Sequence, residues 1–102
     1  MSIEGYHREK FGNAVSCLVS SSDIRTRLLN AFIAMITVNS ADFTDTELGA
    51  RYRDVFERAT ARPETYKGEG TLQATIGKMT DEEAEKIADE ILSIHNELLR
   101  KA

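Results

Sequence analysis

The stretch Thr80-Asp-Glu-Glu-Ala-Glu-Lys-Ile-Ala-Asp-Glu-Ile-Leu-Ser-Ile-His-Asn-Glu-Leu-Leu-Arg100 decides the fold class. It opens on a capping box. The Thr80 hydroxyl is placed to accept a hydrogen bond from the backbone N–H three residues on, and Glu83 to reach back to the N–H of Thr80. Asp81, Glu82 and Glu83 crowd the first turn while Arg100 and Lys101 sit at the end, both matching the helix macrodipole. Ala84, Ile87, Ile91, Ile94 and Leu98 fall on one stripe at helical spacing. Ala88, Leu92, His95 and Leu99 form a second stripe beside it. The spacing predicts a helix from Asp81 to near Arg100.

The same signature stands upstream in Thr44-Asp-Thr-Glu47, which predicts a second capping box and a helix from Asp45 to about Arg62. Pro63, the only proline, stops it. Phe43 and Leu48 are spaced as a hydrophobic staple across that cap. Leu48, Tyr52, Val55, Phe56 and Ala59 make the expected buried stripe, and Glu47–Arg51 and Asp54–Arg58 are acid-before-base pairs at i, i+4.

Three more helices complete the pattern. The first is predicted from about Glu4 to Ser20, with His7, Phe11, Ala14, Val15 and Leu18 on one side. Ser22 is a natural N-cap for the next, from Asp23 to about Val38. That segment has two apolar stripes, Ile24–Leu28–Ala31–Phe32–Met35 and Leu29–Ile33–Ile36, so it is expected to be the central helix, buried on most sides. Pro63-Glu-Thr-Tyr-Lys-Gly-Glu-Gly70 reads as a loop. A short helix from Thr71 to about Lys78 follows, carrying Leu72 and Ile76. The expected fold is all-α: one domain spanning residues 1–102, built as a compact bundle of four long helices plus one short helix.

Composition narrows the function classes. Hydrophobic residues make up 41% and charged residues 29% of the 102, which is ordinary globular usage. With 13 Lys+Arg against 17 Asp+Glu the formal net charge is −4, a balance that weighs against non-specific binding to nucleic acid. Cys17 stands alone, so an internal disulfide and a cysteine metal cluster are both out of reach. Neither a membrane-spanning apolar run nor an apolar signal region is apparent, and the expected location is the cytoplasm.

Motifs for chemistry are sparse. His7 and His95 are the only histidines, and neither stands in a nucleophile motif. Ile91 and Leu99 occupy the positions four residues either side of His95, which excludes a local pair of metal ligands. Gly68-Glu-Gly70 lacks the pattern of a phosphate loop, and Asp42 and Asp45 lack the spacing of a calcium loop. The expectation is therefore a protein that is not an enzyme and takes no cofactor or metal: a small accessory, regulatory or immunity-type module that binds another protein or itself. The candidate interface is Leu92, His95 and Leu99, the second stripe of the last helix, since a terminal helix buries about 100° of its circumference against a core. Two rivals are weighed against it. The short helix carrying Leu72 and Ile76 could fold over that stripe. Alternatively, the chain is a small DNA-binding regulator using the charged surface of Arg51, Arg58 and Arg62 on the third long helix.

Overall fold

The structure, a computed structural model, describes residues 2–102. Helix α1 runs Ile3–Leu18, α2 Ile24–Ala34, α3 Thr46–Ala59, α4 Thr71–Ile76 and α5 Asp81–Arg100, with a 3-10 turn at Ser40–Asp42 between α2 and α3. The fold is all-helical, with four long helices and one short one, and no strand among the described residues.

The capping box of α5 forms as the sequence predicts. Thr80 Oγ1 accepts from the Glu83 N–H at 3.1 Å, and Glu83 Oε1 accepts from the Thr80 N–H at 3.0 Å. The upstream copy does not form. Asp45, not Thr44, caps α3, its Oδ1 accepting from Glu47 and Leu48 N–H at 3.0 and 3.2 Å. Lys101 fixes the other oxygen of the same carboxylate from the end of α5. The cap of α2 also shifts by one residue, from the expected Ser22 to Asp23, whose carboxylate accepts from Arg25 and Thr26 N–H. At these two starts the carboxylate, a charge-assisted acceptor beside the positive helix end, outcompetes the adjacent hydroxyl.

Two helices end early. The second stops at Ala34 rather than Val38 because Ile36-Thr37-Val38 is a run of β-branched residues, stiff at χ1, and closes as tight turns. The third stops at Ala59 rather than Arg62, where the Thr60 hydroxyl donates to the Phe56 carbonyl at 2.7 Å. The loop after it turns at Gly68 and Gly70, with φ of 94° and 84°, a region that suits glycine.

One cluster of buried side chains gathers Phe11, Leu28, Phe32, Tyr52, Val55 and Ile91 with their neighbours. Helix α5 packs against the three other long helices, while α2 packs against α1, α5 and the short α4. The inner stripe of α2 is buried as expected, but its outer stripe is not: Ile33 and Ile36 are 56% and 61% exposed. Phe56 likewise lies at the surface instead of in the buried stripe of α3. Gly49 allows a close backbone approach. A Cβ there would stand 2.7 Å from the Ser40 carbonyl oxygen and 3.1 Å from Phe43 Cβ, so glycine lets the 3-10 turn settle on α3.

Candidate interaction surface

The outer stripe of α5 is open. Leu92 and Leu99 are 42% and 52% exposed. The short helix α4 packs chiefly against α2 and α3, so it does not cover them. His95 behaves differently from the two leucines. It faces α1 across Gly12, where a Cβ would come to 3.8 Å from its Cε1. Its Nδ1 is sealed from solvent without a hydrogen-bond partner. The expected site thus divides: two leucines face outward and the histidine lies in the α1–α5 seam.

Beside Leu92 the seam widens into a groove of about 300 Å³. Val15, Leu18 and Val19 of α1 form one wall, and Ala88 and Leu92 of α5 the other. Glu85 and Asp89 edge the α5 wall and take part in no ion pair among the described residues. Arg27 stands at the same groove, but its guanidinium donates to the Ser22 and Leu18 carbonyls at 2.8 Å each, fixing the α1–α2 corner. The groove is apolar at its base and acidic on one side.

The arginines of the rival surface have different partners. Arg51 does not pair with Glu47 as the spacing predicts. It reaches across to α5, where Nε donates to Glu90 at 2.8 Å and a terminal nitrogen to Ser93 at 2.8 Å. Arg58 pairs with Asp54 at 3.2 Å, as expected. Arg62 lies beyond the end of α3, its backbone N–H donating to the Thr75 hydroxyl at 2.9 Å.

The two histidines lie at different levels of the α1–α5 seam. His7 is only 2% exposed, and its ring stacks on Phe43 with centroids 4.2 Å apart. Burial pushes its pKa below the ordinary value, against the opposing pull of the Asp42 and Glu4 carboxylates. Its Nε2 is sealed and unpartnered. It borders a small cavity with Leu98 and Lys101, more than a turn before Gly12, the residue that meets His95. Among the described residues no group of three His, Cys, Asp or Glu side chains is placed to hold a metal ion, and no helix is long and apolar enough to cross a membrane.

A second groove, of about 400 Å³, lies between the end of α2 and α3, bordered by Ile36, Val38, Tyr52, Arg53 and Phe56. It was hidden in the sequence by the expectation that α2 is buried on most sides. The signal that marks it is the β-branched run Ile36-Thr37-Val38, which ends the helix and leaves its last apolar side chains without a covering element. Comparison with protein-family models, with curated proteins and with solved structures finds no match to this chain.

Proposed function

We propose that this protein is a non-catalytic, cytoplasmic interaction module, accessory, regulatory or immunity-type in character, that works by binding another protein or a second copy of itself through the outer face of α5. The observation that carries the reading is the exposure of Leu92 and Leu99, two turns apart on the longest helix, with Leu92 lining the groove beside Val15 and Leu18. Large apolar side chains aligned along one face and rimmed by charge are the usual signature of a contact surface. Glu85 and Asp89 form that rim and would set the register of the partner. His95 has a supporting role, holding the α1–α5 seam closed behind the leucines.

The test pairs light scattering with affinity capture from the native cells, using the wild type and a Leu92→Glu, Leu99→Glu double variant whose helical circular dichroism is first shown to be intact. A dimer that becomes a monomer, or a captured protein that is lost, supports the α5 surface. A folded double variant that keeps both the oligomeric state and every captured protein of the wild type overturns it.

A further inference from the structure

We propose that the groove between the end of α2 and α3 binds a small amphipathic carboxylic acid, its carboxylate held by Arg53, the Tyr52 hydroxyl and the Asn39 amide, and its apolar body laid against Ile36, Val38 and Phe56. The site is independent of the α5 surface and stands or falls separately from it.

Tyr52 borders the groove. Its side chain is 3% exposed, yet its hydroxyl makes no hydrogen bond among the described residues. A phenol without a partner there serves a ligand as a directed donor, since burying it unpartnered costs free energy. Burial raises its pKa to about 12, so it stays a neutral O–H donor throughout the physiological range.

The other polar groups at the groove are donors too. Arg53 is exposed and takes part in no ion pair among the described residues. Asn39 has its oxygen committed to the Ala41 N–H at 2.9 Å, which leaves its amide hydrogens for a ligand. Thr37 is already bonded to the Tyr6 hydroxyl. No carboxylate borders the groove. Arg53 is the one charged side chain that borders the groove, beside the neutral hydroxyls of Thr37, Ser40 and Tyr52, so in a chain of net charge −4 the groove favours an acceptor that carries negative charge. A guanidinium with a phenol and an amide meets the two oxygens of a carboxylate, and the apolar walls take a hydrocarbon or aryl body. Its volume of about 400 Å³ lies in the range of small-molecule sites.

The α1–α5 groove serves as the internal control. It has similar apolar walls, but its one cation, Arg27, is committed to the Ser22 and Leu18 carbonyls and Glu85 and Asp89 edge it, so it should bind an anion less well.

The probe is 4-phenylbutyrate, titrated into the ¹⁵N-labelled protein and followed by backbone amide shifts, with 4-phenylbutyramide and 4-phenylbutylamine as matched controls. Saturable shifts at Val38, Asn39, Tyr52, Arg53 and Phe56, with a Kd on the order of 1 mM for a ligand of this size, are expected. Arg53→Met should weaken binding roughly tenfold or more, because it removes a charge-assisted hydrogen bond. Tyr52→Phe should weaken it several-fold while leaving the thermal midpoint intact, since that hydroxyl has no partner in the fold. Equal binding of the amine or amide, shifts confined to the α1–α5 groove, or no shift at concentrations on the order of 10 mM would each overturn the proposal.

Discussion

The starts of α3 and α5 are spelled alike and built differently. Both read Thr-Asp-x-Glu, yet Thr80 caps α5 while Asp45 caps α3 and leaves Thr44 exposed. The aspartates explain the divergence. Asp81 is drawn outward by Arg25, with 2.9 Å between guanidinium and carboxylate, so the threonine hydroxyl remains as the acceptor for α5. Asp45 has Lys101 on its outer oxygen and two backbone N–H groups on its inner one. Around it the chain is also held by packing: Phe43 stacks between His7 and Tyr52, and the 3-10 turn rests on Gly49. A capping signature therefore locates a helix start to within one residue, and the contacts of the flanking chain select among the acceptors inside that window.

If packing sets the start of α3, the largest effects should come from side chains that make no capping bond. Phe43→Ala is expected to cost roughly 3–5 kcal/mol of stability in urea unfolding, by cavity formation and the loss of both ring stacks. A cost below that of Thr80→Ala would break the comparison, because it would leave the cap as the stronger determinant.

Gly49→Ala sharpens it further. In an ordinary exposed helix this change gains about 0.5–1 kcal/mol from backbone entropy. Here the new methyl would meet the Ser40 carbonyl oxygen at 2.7 Å, and backbone yields poorly. The sign should reverse, to a loss of roughly 1–3 kcal/mol. A stabilised variant would show that the 3-10 turn moves aside easily.

The same packing makes the α3 start sensitive to pH in a way the α5 start is not. His7 has a pKa held below its ordinary 6.5 by burial against Phe43. The groups around it are Glu4 and Asp42, which favour its charged form, and Asp45, Arg8 and Lys101 at the adjoining cavity. Well above pH 6.5 the imidazole is neutral in both folded and unfolded chains and contributes no slope. As the pH falls below that value the unfolded chain takes up the proton first, so stability declines until the folded-state pKa is passed. His7→Phe should remove this decline between pH 6.5 and the carboxylate range, as read from urea midpoints across pH. An unchanged slope would assign the decline to other groups.

Much of this architecture was legible in the residues. The inner stripes of α1, α2 and α5, the loop from Pro63 to Gly70 and the extent of α5 all follow from period and punctuation. Boundaries decided by competition between neighbours did not, as at Asp23 against Ser22 and Asp45 against Thr44. The fate of second stripes was also closed to the sequence, since Leu29–Ile33–Ile36 and Leu92–Leu99 are equally apolar whether or not a neighbour covers them. The predicted burial of α2 failed for that reason, and the α2–α3 groove went unseen with it. Arg51 shows a further limit. Its partner four residues earlier was correctly spaced, but Glu90 on α5 offered a half-buried site where the pair is less exposed to water.

The smallest effects give the cleanest discrimination. Thr80→Ala removes the acceptor of the Glu83 N–H and should cost about 0.5–2 kcal/mol. Thr44→Ala alters a residue of the same type, three positions before the corresponding Glu47, yet should change stability by less than about 0.5 kcal/mol, because its hydroxyl has no partner among the described residues. Asp45→Ala must then exceed Thr44→Ala, since it strips both capping bonds and the tie to Lys101. Thermal midpoints of the three variants rank them directly. If Thr44→Ala costs as much as Thr80→Ala, both helices begin at their threonines in solution, and the selection of Asp45 by Lys101, Gly49 and Phe43 is wrong. If the order is Asp45, then Thr80, with Thr44 silent, two nearly identical sequences have been separated by their surroundings alone.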